Sequence, residues 1–400
     1  MKPYRIGIAM ERESIFARSV LEGLAAAQKD FANRGIVFDM RFLHDRLVRD
    51  GSDISKFDAF VAQVQDDEMA ERLSANGRPV VDVLFKKHHP GCAVVNVDNA
   101  AIARLAAAHL LERRFEHFAF FGRNGVSYSD ERAAVFAEAI GERGGSVIEY
   151  VVPAAKQKAF FQGPLPTMEE AVENPLDAKY LRNWVRSLPR GTAVFCCQDL
   201  RAYQLMHECY EAGRAIPEDI AILGVDDDPI FCSFSDPRLS SVDPDAQAVG
   251  ANALSLLASS LIDGTPTDSA HSVFVPPKTL TVRESTEVFH YEPSWLGEAM
   301  VYIHRDPSVN LTASMVFEHV GKSHTLVERM FRQVLGTTVQ KEIMRVRLVE
   351  AERLLRTTDL PVNEVAKRSG FVTFSYFCSA FASTYGQSAA AYRESARKRE

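Results

Sequence analysis

The chain has 400 residues, with 46 Lys+Arg against 53 Asp+Glu, a formal net charge of -7 and 46% hydrophobic residues. That length is too great for one ordinary core, so two or three domains are expected, and a chain of this size has no need of disulfide staples. The six cysteines (92, 196, 197, 209, 232 and 378) show no CxxC or other ligand spacing, which argues against a metal site or a thiol nucleophile and for reduced, packed side chains.

The first elements in chain order are strand-like. The N-terminus enters YRIGIAM directly, with no apolar stretch long enough for a signal peptide or membrane span, so a cytoplasmic protein without a membrane partner is expected. Short apolar runs then recur at 6–10, 37–43, 59–64, 80–84, 93–97, 118–121, 146–152, 193–196 and 220–225. Amphipathic stretches fall between them, among them 19–34, 100–113, 132–143 and 201–212. This alternation predicts βαβ units and a mostly parallel sheet covered on both faces. The segment 153–175, rich in Pro, Gln and Lys, is expected to be an exposed insertion.

Open α/β sheets bind ligands beyond the carboxyl ends of their strands. Asp98 follows AVVNV, Gln198 and Asp199 follow AVFCC, and Asp226 follows AILGV, so these are the candidate ligand contacts. A carboxylate there can accept a hydrogen bond from a ligand hydroxyl. Equally, any one such aspartate can be a helix N-cap. Arg132 and Arg18 each stand near an expected helix start.

The last hundred residues carry one pattern twice. Val316-Phe317, Gly321, Phe331 and Gly336 are answered by Val365-Ala366, Gly370, Phe381 and Gly386, with Phe to Gly five residues in both copies. A short helix, a glycine turn and a second helix, in tandem, predict paired helix-turn-helix units and hence double-stranded DNA as partner. Residues 291–400 hold a net charge of +3, which leaves -10 for the first 290, so the excess base lies with the repeat. Between the units, Met344, Leu348, Ala351 and Leu355 form one face of a joining helix. In the first reading helix Ser323 is the expected N-cap, and His324, Thr325, Glu328 and Arg329 point away from the apolar stripe of Val327, Met330 and Phe331. Arg329 suits guanine O6/N7 and Glu328 suits cytosine N4, although an exposed Arg also serves as a phosphate contact or a solvated charge. The second reading helix offers Thr373, Ser375, Cys378 and Ser379, with no Lys or Arg, so phosphate or shape readout is expected there.

Two resemblances rest on these residues. NVDNAAIARLAAAHLLERRFEHFAFFG, SDERAAVFAEAI, IPEDIAILGVDDD with RLSSVD, and VPPKTLTVREST resemble the sugar-sensing domain of the lactose-repressor family, which shares its fold with periplasmic sugar-binding proteins. The sequence shows no match to the N-terminal headpiece of that family; the resemblance implies that Arg132, and Arg18 at a similar helix start, donate to ligand hydroxyls. GKSHTLVERMFRQVLG, RLVEAERLLRTTDLPVNEVAKRSGF, SYFCSAFASTYG and the terminal Tyr392-Arg393 resemble the DNA-binding domain of the AraC family. In that family a basic residue is frequent where this chain has Ser379 and Ala382.

Together they imply a two-lobed α/β sensor at 1–283, a linker at 284–294 and an all-α tandem helix-turn-helix domain at 295–400. They also imply a sugar-responsive regulator, an activator of pentose genes with D-xylose the first candidate effector. It would dimerise through the sensor, bind operator half-sites and work with RNA polymerase, without a cofactor. An enzyme on the same scaffold is the rival from another class, but GxxxxGK[ST], HExxH and GxSxG are missing. A second rival is a ligand-independent regulator with a degenerate pocket.

Overall fold

The computed structural model describes residues 3–12, 14–43, 54–85, 87–123, 125–150 and 175–397. Contacts divide the chain into two compact units, Met1–His109 with His117–Ser285, and Leu110–Glu116 with Thr286–Glu400.

Among the described residues the first unit holds two six-stranded sheets. The strands of the first are β1 (Tyr4–Ala9), β2 (Phe38–Phe42), β3 (Ala59–Ala62), β4 (Val80–Asp82), β5 (Ala93–Val97) and β11 (Val273–Val275). Those of the second are β6 (His117–Phe121), β7 (Val147–Glu149), β8 (Thr192–Cys196), β9 (Ile220–Val225), β10 (Ser240–Asp243) and β12 (Thr279–Thr281). Their orders are β11-β5-β4-β3-β1-β2 and β12-β10-β9-β8-β6-β7. Every pairing is parallel except β10 with β12. Parallel strands demand crossovers, and their Val- and Ile-rich runs are buried on both faces, as AVVNV and IAILGV are throughout.

The chain passes between the two sheets after β5, after β10 and again after β11. Helix Ile15–Asn33 lies against helix Ala246–Asp263 at a separation only glycine permits. A Cβ on Gly23 would stand 1.8 Å from the Gln247 carbonyl oxygen, and one on Gly250 would stand 2.0 Å from that of Val20.

Each of the nine expected apolar runs overlaps a strand, with β1, β6 and β8 beginning one or two residues before the expected run. Strands β10 to β12 are three or four residues long and partly polar (SSVD, VFV, TLT), too short to show a period in the sequence. The helix expected to open at Arg132 instead spans Ser127–Gly141, which places Arg132 in its second turn. The expected insertion lies outside the described residues as far as 174, and Pro175 begins a helix that runs to Ser187.

The second unit is helical. Phe289 is buried in its first core with Leu296, Met300, Val316, Val327 and Phe331. Helix Val339–Thr357 serves two cores: Val339, Ile343 and Val346 enter the first, while Leu348, Ala351, Leu354 and Leu355 enter a second with Val365, Phe371, Phe377 and Phe381. Glu342, buried on the same helix, lies 3.1 Å from His304 Nε2 and accepts from Arg345 Nη2 at 2.7 Å.

Candidate functional site

The carboxyl ends of β8, β9 and β10 bring an acidic cluster together, and hydrogen bonding sorts its members. Asp199 is buried; its Oδ1 accepts from Ser241 Oγ at 2.6 Å and its Oδ2 from the Asp228 backbone N–H at 2.8 Å. Burial and the neighbouring Asp226 push its carboxyl well above the ordinary range. Asp227 pairs with Arg283 Nη2 at 2.8 Å and accepts from Thr281 Oγ1 at 3.1 Å. Asp228 caps helix Pro229–Phe234 by accepting from Ile230 N–H at 2.8 Å. Three of the four carboxylates therefore have structural work, and Asp199, expected as a ligand contact, is the bracket that fixes the Asp226–Asp228 turn.

Asp226 is the exception. It is half-buried, and its carboxylate has no hydrogen-bond partner among the described residues. Its backbone N–H donates to Val242 O at 2.9 Å, and its φ of +116° is one that residues with a side chain seldom adopt. Burial raises its carboxyl to about 7; Arg132 opposes the shift, and Asp228 and Asp243 add to it. A half-buried acceptor without a partner among the described residues is able to accept from a ligand hydroxyl.

Arg132 is buried and aimed from the helix Ser127–Gly141. Its Nε donates to Asn99 Oδ1 at 3.0 Å, its Nη1 donates to Cys197 O, and its guanidinium lies over the Tyr128 ring at 5.3 Å. Its Nη2 has no acceptor among the described residues. Tyr128 OH donates to Gln198 Oε1 at 2.6 Å, so Gln198 joins the same network at the end of β8. Asp98 does cap its helix, accepting from Ala101 N–H at 2.8 Å through Oδ1, and its Oδ2 remains without a donor among the described residues. Arg18 stands exposed in the first turn of the helix Ile15–Asn33, whose cap is Ser14, unlike the buried Arg132. Asn99 and Tyr128 were not expected. Their signals were there in the Asp98-Asn99 pair at a strand end and in the i, i+4 spacing of Tyr128 and Arg132.

In the second unit both reading helices are capped as a helix-turn-helix requires. Ser323 accepts from Leu326 N–H at 3.4 Å ahead of His324–Met330, and Thr373 from Tyr376 N–H at 3.4 Å ahead of Phe374–Tyr385. His324, Thr325 and Arg329 are exposed, with the His324 ring 4.7 Å from that of Phe317. Glu328 departs from expectation: it is largely covered, and its Oε2 lies 3.6 Å from Arg332 Nη2. It therefore faces its own helix neighbour, because Arg332 lies one turn on along the same face. Ser375 and Ser379 are exposed, whereas Cys378 turns toward the second core with Ala380 and Tyr385.

Among the described residues, no helix is long and apolar enough to cross a membrane, and no group of His, Cys, Asp and Glu is arranged to hold a metal ion.

Residues 107–286 match a periplasmic binding protein-like domain and residues 317–395 a helix-turn-helix domain. The chain is 26% identical to the xylose operon regulatory protein of Escherichia coli K12, over 98% of this chain and 97% of that one. It is 25% identical to the protein of the same name from Haemophilus influenzae, over 94% and 95%. The solved structure of a xylose-binding transcription activator superposes with a TM-score of 0.57 at 24% identity, covering 98% of each chain. A LacI family regulator from Enterococcus faecium with bound ribose superposes with a TM-score of 0.54 at 20% identity, over 70% of this chain and 98% of that one.

Proposed function

We infer that this chain, which joins a periplasmic-binding-protein-like domain to an AraC-type helix-turn-helix domain and is similar over nearly its whole length to xylose operon regulatory proteins, is a sugar-responsive, DNA-binding transcription regulator and not an enzyme. It activates genes of pentose use, with D-xylose as effector. The observation that carries the sugar reading is the Asp226 carboxylate, half-buried, beside Arg132, with neither that carboxylate nor Arg132 Nη2 having a partner among the described residues. Asp226 accepts from one ring hydroxyl and Arg132 Nη2 donates to another. Gln198 and the second oxygen of Asp98 complete the set. Residues 1–283 hold the sugar, 284–294 connect, and 295–400 read DNA.

The protein acts as a homodimer in the cytoplasm. Ile230 and Phe234, 53% and 80% exposed and four residues apart on one helix, support an apolar contact with a second copy. Sugar shifts the population toward the DNA-competent form only by its greater affinity for that form, and the activated dimer then engages RNA polymerase at operator half-sites.

Calorimetric titration of the full chain with xylose, arabinose and ribose tests the effector. Saturable binding of one pentose, lost on Asp226→Ala, is the expected result. Binding of none would leave the ligand-independent regulator as the better reading.

A further inference from the structure

The second reading helix has a surface of unusual chemistry. Between Arg368 and Arg393 the sequence contains no charged residue at all. The first reading helix, by contrast, lies among Lys322, His324, Glu328, Arg329 and Arg332. Phe371, Phe377 and Phe381 of the second unit are buried, as the core requires. Val372, Phe374 and Tyr376 are not: they are 74%, 49% and 55% exposed around the first turn of Phe374–Tyr385. Ser375 and Ser379, also exposed, share this helix and carry only hydroxyls.

In a helix-turn-helix the N-terminal residues of the second helix are the ones that meet base edges. Of the groups that base pairs present in the major groove, the thymine C5-methyl is the apolar one, and aromatic and aliphatic side chains recognise it by contact. Exposed Lys367 and Arg368 immediately precede this surface. They supply the phosphate attraction that the helix itself lacks.

We propose that the second unit reads sequence after all, through Val372, Phe374 and Tyr376 packed on thymine methyls in the major groove of T·A-containing steps. This rests on the DNA-binding reading given above. It replaces the expectation of phosphate or shape readout alone.

The test uses the full chain. Duplexes are first selected from a randomised pool, and each thymine of the selected site is then replaced by deoxyuridine, which lacks only the methyl. In the half-site bound by the second unit, deoxyuridine should weaken binding roughly 3- to 5-fold per contacted methyl, the worth of one buried carbon. Phe374→Ser should abolish that discrimination and leave the preferences of the other half-site intact. Equal affinity for thymine and deoxyuridine throughout that half would overturn the proposal. So would a Phe374→Ser variant that binds DNA unchanged but fails to activate transcription, since the surface would then belong to a protein partner. Binding that enriches no sequence would also overturn the proposal, whereas failure to retain any duplex would instead refute the underlying DNA-binding reading. The base replacement is made on the wild-type protein, so the test does not depend on the variant folding.

Discussion

At the scale of single residues, two aspartates that look alike in sequence are assigned opposite work. Asp199→Ala removes an acceptor for the Asp228 N–H and Ser241 Oγ, so it should lower stability with or without sugar, by about 1–3 kcal/mol. Asp226→Ala removes an acceptor that no group among the described residues uses, together with a carboxyl whose burial costs stability as it ionises, so the sugar-free melting temperature should not fall and above pH 7 should exceed that of the wild type. What it should abolish is the pentose-induced stabilisation, about 2.7 kcal/mol at a hundredfold excess over the dissociation constant. Asp98→Ala should do some of both, losing about 1 kcal/mol of cap and part of the sugar response. Melting the three variants with and without xylose separates these outcomes.

The Asp226 carboxyl also has a pH signature. Its value is raised to about 7, so the neutral acid is favoured in the fold, and the stability this confers is lost as pH rises from the ordinary carboxylate value to about 7. Sugar that donates hydroxyl protons to it favours the ionised form. Affinity should therefore increase between pH 6 and pH 8, and a flat calorimetric profile over that range would show that Asp226 does not accept from the sugar. Sequence position brought out the strand-end aspartates, but not which of them was already bonded. That depends on Ser241 and Thr281, brought in by strands too short to be seen in the sequence.

At the scale of elements, the repeated glycines test how far a sequence repeat is a structural one. Both Gly321 and Gly370 have positive φ, +62° and +80°. A Cβ on Gly321 would meet open space, whereas one on Gly370 would stand 2.1 Å from Pro307 O and 3.0 Å from Arg347 Nε. Gly321→Ala should thus cost only the left-handed backbone, about 1 kcal/mol. Gly370→Ala should cost clearly more and displace the turn, as chemical denaturation of the two variants will show. Helix order, the joining helix and the Ser323 cap were legible because period and capping residues are local properties, whereas Thr373, expected on the DNA-facing side, caps its own helix. The environment of Gly370 was not, because Pro307 lies 63 positions away. The reading helices follow the same logic. Arg329→Ala should weaken specific sites by about 1–3 kcal/mol more than random DNA, measured by competition binding. Glu328→Ala should alter base preference less, since Glu328 faces Arg332. The exposure of Phe374 and Tyr376 was hidden because aromatic residues in an apolar helix read as core.

At the scale of the whole molecule, an acidic chain binds an anionic polymer by segregating its charge. Affinity for DNA should fall steeply as salt rises, since phosphate contacts release counterions, and a filter-binding series across salt concentrations gives the slope. An affinity insensitive to salt would contradict the reading of 295–400 as the DNA-binding part.

The course of the chain between the two sheets bears on how the protein is made. Strand β11 pairs with β5 across Val273 and Val95, and Gly23 meets helix Ala246–Asp263, so the first sheet is not complete until nearly the whole first unit has been synthesised. On the ribosome the early strands must wait with one edge open while the second sheet is still being translated. The nascent chain therefore passes through a long interval in which β5 can recruit a foreign strand, and substitutions that slow translation there would be felt as aggregation although they touch nothing in the finished fold.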